Sequence, residues 1–254
     1  MLSNFQKCLQ VTLAYEGGYS NDRRDPGNWT GGKVGKGQLK GTKYGIAASS
    51  HPDLDIRNLT VDDAAKIYKP EYWDKVSGDR LAAGVDLATW DAGVQSGPSR
   101  ALKWLLASAG GPDSQTVKKI CAKRLGFFQT LAIWKSYKKG LVNRVASVEA
   151  KGVAWALAAL PATAVKAKLV SEGAAAKKSA GRNAIAASGV GGATSAGGAD
   201  AVANPRHVDL ITGWGLAGIV VLAVVVIALL ILRAHIHERR AAAYEAEAAT
   251  IGGV

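Results

Sequence analysis

The chain is poor in cysteine and sulfur generally: two cysteines and one methionine in 254 residues. Cys8 and Cys121 form no CxxC pair, and each stands among apolar neighbours at a helix position. They read as buried free thiols rather than a disulfide framework. The four histidines (His51, His207, His235 and His237) make no ligand set, so neither a metal nor another cofactor is expected. Phosphate-cradling motifs are missing: no GxxxxGK[ST] or GxGxxG stands between a strand and a helix, which argues against nucleotide binding. Met1–Gly18 lacks a basic opening and an uninterrupted apolar run, so it does not read as a signal peptide. Acids are scarce: 20 Asp and Glu stand against 32 Lys and Arg, a net charge of +12. Such a surplus suits polyanions, whether nucleic acid, anionic lipid or an acidic cell wall. From Ser171 to Pro205 no aromatic residue occurs. A stretch of Ala, Gly, Ser and Lys cannot build a core, and residues 171–210 are expected to be a flexible tether.

What is abundant is glycine, and it concentrates between Glu16 and Ile46. Phe5, Cys8, Leu9, Thr12 and Leu13 recur at helical spacing before it and predict a helix over 3–15, stopped by Gly17-Gly18. Glu16 therefore falls at a helix C-terminus. The negative end of the helix dipole favours the neutral acid there, as a proton donor requires; a solvated side chain at a frayed end is the plainer reading. The run beyond it is too glycine-rich for a helix or a packed strand. It reads as an irregular loop with short hairpins, and such loops on a rigid scaffold commonly carry catalytic groups. Asp22 and Asp25 lie in its turn-forming part. Tyr19, Trp29 and Tyr44 are interleaved with the glycines.

The remainder is predicted to be mainly helical. Thr60 and Asp63 make a capping-box start. Tyr72 and Trp73 are open to two readings, aromatic core or a wall on which a sugar stacks. Leu81–Val94 is a helix in which Asp86 and Asp91 read as buried polar anchors. Gln115–Lys151 carries nine basic residues and one acid, Glu149, on two amphipathic helices. Ile211–Leu232 is an uncharged run of 22 residues. At 1.5 Å per residue it is about 33 Å long, enough for a bilayer core of about 30 Å. Trp214 sits where an interfacial anchor belongs. Arg233, Arg239 and Arg240 follow this run, against Arg206 alone shortly before it. The charge bias predicts a single-pass inner-membrane protein with residues 233–254 as a cytoplasmic tail and the preceding domain in the periplasm.

Three separated stretches are similar to the glycoside hydrolase 108 family, which includes phage endolysins and related N-acetylmuramidases. They are EGGYSNDRRDPGN at Glu16–Asn28, GTKYGI at Gly41–Ile46, and IYKPEYWDKVSGDRLAAGVDLATWDAGVQSGPSRALKWL at Ile67–Leu105. The resemblance implies a lysozyme-like helical fold with a Gly-rich loop and short β region over residues 1–95. It implies a helical, peptidoglycan-binding-like module over 96–170. It also implies cleavage of the β-1,4 bond between N-acetylmuramic acid and N-acetylglucosamine. By motif, Glu16 would be the proton donor, and Asp25 and Thr42 would hold the attacking water. Asp22 and Thr30 are the nearby rivals for those two places. Tyr19, Trp29, Tyr44, Tyr72 and Trp73 would contact the sugar chain. The division of labour is chemically sound: one acid protonates the leaving oxygen while a second polar group steers water to the opposite face. The expected partners are peptidoglycan and, through Ile211–Leu232, the lipid bilayer; nucleic acid is not expected. The other function considered is a membrane-tethered wall-binding protein without turnover.

Overall fold

The computed structural model describes the backbone of residues 4–203 and 210–251, with side chains described for 4–190 and 220–251. It is mainly α-helical. Two units emerge, Met1–Leu157 and Ala158–Val254.

In the first unit, α1 (Phe5–Leu13) buries Phe5, Cys8, Leu9 and Thr12, the stripe that the 3–4 spacing requires. Both thiols are free and buried. A turn carries the chain on, with the Glu16 N–H donating to the Leu13 carbonyl at 3.2 Å. The glycine-dense stretch is a set of short hairpins. Asp25 caps a single helical turn over Pro26–Asn28, its Oδ1 accepting from the Gly27 N–H at 2.8 Å. Strands β1 (Thr42–Lys43) and β2 (Ile46–Ala47) pair antiparallel, Thr42 opposite Ala47. Thr42 also bridges Ser20. The hairpin turn is Tyr44-Gly45, both with positive φ (53° and 72°), the hand that suits a two-residue β connection.

Helix α2 (Val61–Tyr68) opens on the expected capping box, Thr60 and Asp63 each bonding the other's backbone. A wider turn over Lys69–Trp73 follows. Helix α3 (Val85–Ser96) is buried on every side through Val85–Gly93. It is the centre on which α1, α4 (Pro98–Leu106), α5 (Asp113–Gln129) and α6 (Trp134–Ala156) pack. At its start Gly84 has φ 85°, and a Cβ there would lie 2.0 Å from the Gly152 carbonyl oxygen of α6. Only glycine lets α3 and α6 approach this closely. Residues 96–157 thus share one unit with residues 4–95, and the expected module boundary at 96 falls at the end of this central helix.

Trp73 corrects one expectation. It is fully buried, with ring centroids 5.4 Å from Phe5 and 5.8 Å from Trp90, and its indole N–H donates to Asp79 Oδ1 at 3.0 Å. It is core and offers no face to a sugar.

In the second unit, α7 (Ala162–Ala203) and α8 (Leu210–Thr250) are long helices packed on each other. This corrects the expected tether: residues 171–203 are helical, and 204–209 lie outside the described residues. Alanine is the best helix former, and the partner helix covers the seam at Gly173, so packing outweighs the glycines. Residues 233–250 continue α8, with Ala234, Ile236, Ala241, Tyr244 and Ala248 buried. Among the described residues one helix is long and apolar enough to cross a membrane, Val220–Thr250 within α8. The side chains of Ile211–Ile219, Trp214 included, lie outside the described residues.

Candidate active site

Glu16 stands where α1 ends and the hairpin region begins, with its side chain about one-fifth exposed. Its Oε1 accepts from Arg144 Nη1 of α6 at 2.8 Å. The other nitrogens of that guanidinium turn inward to Asp91 of α3: Nη2 donates to Oδ1 at 2.8 Å and Nε to Oδ2 at 3.1 Å. Asp91 is fully buried and is also gripped by Arg124 of α5, at 2.7 Å. Thr12 of α1 donates to Asp91 Oδ1 at 2.9 Å and accepts from the Trp90 indole at 2.8 Å. Four helices therefore meet in one charged network with Glu16 at its outer end.

The electrostatics follow from this arrangement. Burial pushes the Asp91 carboxyl up, but the Arg124 and Arg144 charges and hydrogen bonds outweigh it and hold the group well below the usual carboxylate range. Burial tends to lower the Arg144 guanidinium, and Asp91 and then Glu16 reverse this and raise it. Arg144 is therefore a fixed cation. The Tyr68 hydroxyl is pushed up, first by burial and then by the negative charge of Glu16, so it serves as a donor. It donates to the Tyr44 carbonyl at 2.7 Å.

The hairpin turn comes close from the opposite side. A Cβ on Gly45 would lie 2.9 Å from Glu16 Oε2 and 2.9 Å from the Tyr68 hydroxyl oxygen. Glycine at 45 thus leaves room for the carboxylate between the turn and Arg144. Tyr72, with its ring 5.5 Å from that of Tyr68, is half-buried, and Glu16 contributes to raising its hydroxyl after burial and Glu71. Beside Arg144 opens a cleft of about 520 Å³, lined by Tyr15, Gln95, Ile133, Tyr137 and Leu141 among others.

The second half of the expected constellation is joined through Asn28. This side chain is fully buried; its Nδ2 donates to the Asp22 carbonyl at 3.0 Å and its Oδ1 accepts from Thr42 Oγ1 at 2.7 Å. The Asp25 turn and Thr42 are thereby fastened together. Asp25 itself is exposed. Asp22 is exposed and engaged by Arg24, whose hydrogen bonds lower its carboxyl to about 2. Tyr19 packs beneath Gly41, with the Arg57 guanidinium 5.7 Å from its ring. The Trp29 indole donates to the Arg23 carbonyl at 3.0 Å.

Residues 9–97 match the family model for Glycosyl hydrolase 108. The matched region holds Glu16, Asp25, Asn28, Thr42, Tyr68 and Asp91, and ends one residue beyond α3. Arg124 and Arg144, which complete the network, lie outside it. A solved structure of Brucella abortus SagA is also similar, at 28% identity and a TM-score of 0.48. That match covers 60% of this chain and 95% of that one. The search of curated proteins gave no match.

Asn28, Tyr68, Arg124 and Arg144 were not reached by sequence reasoning. Arg144 is one of nine basic residues in a charge-rich stretch, and its kind gives it no distinction. Its neighbours do: Leu141, Val145 and Val148 put position 144 on the apolar face of α6, where an arginine needs a buried acid.

Proposed function

We propose that this protein is a peptidoglycan hydrolase, an N-acetylmuramidase, held at the membrane by α8 and used in bacterial lysis as endolysins are. The observation that carries the reading is the Glu16 carboxyl. It is partly exposed, within the region matching a glycosidase family, and oriented at 2.8 Å by Arg144, which lines a cleft of about 520 Å³. In the proposed reaction Glu16, protonated on Oε2 while Arg144 holds Oε1, gives that proton to the glycosidic oxygen as the bond to the anomeric carbon breaks. Water attacks that carbon from the other face, and Asp25 takes the water's proton while Thr42 orients its oxygen. Tyr19, Trp29, Tyr44 and Tyr72 are the proposed sugar-contacting aromatics. The test is clearing of a peptidoglycan suspension by the full chain in mild detergent. The parent clears it and Glu16→Gln, folded to the same thermal midpoint, does not. Equal clearing by both removes Glu16 from the mechanism.

A further inference from the structure

The second unit bears on how the apolar helix meets the membrane. Among the described side chains of α7 the buried positions are Val165, Leu169, Gly173, Ala176, Ala180 and Ala187. On α8 they include Ala234, Ala241, Tyr244 and Ala248. Apart from Ile236, which is buried off this row, both sets step by threes, fours and sevens, the mark of one helix–helix seam. The pairing is antiparallel. Gly173 lies against Tyr244, where a Cβ on the glycine would sit 3.4 Å from the tyrosine Cβ. Further along, Ala184, Ala187 and Ser188 of α7 line one cleft with Ile227, Ile231 and Ala234 of α8.

The seam therefore runs without a break from the charged end of α8 into its apolar part. There Val220, Val221, Leu222, Val224, Leu229 and Ile231 turn outward, each more than half exposed. An apolar face of this extent is built for hydrocarbon. The α7 residues beside it are uncharged from Asn183 to Ala199, about 25 Å of helix. They are mostly Ala, Gly, Ser and Thr, the small residues that let helices approach closely in lipid. Alone this stretch is too polar to insert; paired, it buries Ala187 against α8 and its backbone bonds are internal.

We infer that the apolar part of α8 enters the bilayer as one arm of an α7–α8 hairpin, so that residues 162–182 and 233–250 lie on the same face of the membrane. A lone span would place them on opposite faces and pull apart the Gly173–Tyr244 contact. The charge count that put the C-terminal segment across the membrane from the first unit also loses its basis. Lys177, Lys178 and Arg182 stand level with Arg233, Arg239 and Arg240, forming one basic collar at headgroup height. The inference is independent of the muramidase reading.

The test uses the full chain with one epitope at each end, expressed in bacteria. Membranes are prepared as spheroplasts and as inverted vesicles, and both are treated with protease. The hairpin predicts that the two epitopes share one fate in each preparation, digested together in one and protected together in the other. One epitope digested while the other survives overturns it, as does a chain that stays in the soluble fraction. A second arm replaces Gly173 and Tyr244 by cysteine. Mild oxidation of intact membranes should give an intramolecular cross-link, seen as a mobility shift that a reductant reverses. The parent, with only Cys8 and Cys121, should show none. Absence of that shift in chains whose epitopes also differ in fate establishes the single span instead.

Discussion

Arg144 holds Glu16 with one nitrogen and Asp91 with the others, so the outermost carboxyl of the network and the innermost share one cation. The fold of the first unit and the position of the proposed proton donor therefore depend on the same side chain. Two kinds of measurement, stability and turnover, report on it separately.

Arg144→Ala leaves the fully buried Asp91 with Arg124 and Thr12 as its remaining partners and frees Glu16. Breaking a buried ion pair from one side costs about 3–5 kcal/mol. The expected result is a fall of that order in unfolding free energy together with loss of wall clearing. Arg144→Lys keeps the charge without the fork geometry. It should recover much of the stability and little of the activity, since a single ammonium cannot hold both acids in place. A lysine variant as active as the parent would show that Glu16 needs no such anchor.

Asp91 gives a pH prediction. Its folded-state value is depressed by Arg124 and Arg144. A depressed carboxylate contributes stability that is fully present above its unfolded value, near 3.9, and is lost as pH falls through the folded one. The urea midpoint should therefore drop steeply between about pH 4 and pH 2. Asp91→Asn should be destabilised at neutral pH and show a shallower acid limb. Parallel acid limbs for the two proteins would mean that other carboxyls dominate.

Gly45→Ala tests the closeness of the hairpin turn. The added methyl meets both Glu16 and the Tyr68 hydroxyl, at a residue whose φ is 72°. A left-handed alanine costs about 1–2 kcal/mol before any clash. Activity should fall more than tenfold, because the carboxylate must move from its place against Arg144. In Tyr68→Phe the hydrogen bond to the Tyr44 carbonyl is lost, at a cost of about 1 kcal/mol, and the turn loosens without a clash. The alanine variant should therefore lose much more activity than the phenylalanine variant.

Asn28→Ala separates the two halves of the site. It removes the link between Thr42 and the Asp25 turn while leaving Glu16 and Arg144 untouched. Turnover should fall with little change in the Arg144–Asp91 contribution to the acid limb. If Asn28→Ala retains full turnover, water is not positioned by the Asp25–Thr42 pair.

How far the residues foretold all this depended on range. Local signals were legible: the apolar stripe of α1, the Thr60–Asp63 box, the glycine run that could be only loops and short hairpins. Asp91 announced itself as an anchor, being an acid in a helix whose neighbours are apolar. Its partners did not, because Arg124 and Arg144 reach it from helices 33 and 53 positions onward in a stretch where basic residues are common. Trp73 was ambiguous, since an aromatic residue suits a core and a sugar platform equally, and only packing against Phe5 and Trp90 decides. The Ala/Gly stretch misled most. Composition describes a chain alone, whereas residues 171–190 are held as helix by a partner some 60 residues away in sequence.

The most direct measurement is mass analysis of peptidoglycan fragments released by the full chain, beside those from Glu16→Gln. The account predicts disaccharide peptides with a new reducing end on N-acetylmuramic acid from the parent, and none from the variant. Fragments ending on N-acetylglucosamine, cut peptide bonds with intact glycan, or the same fragments from both proteins would contradict it.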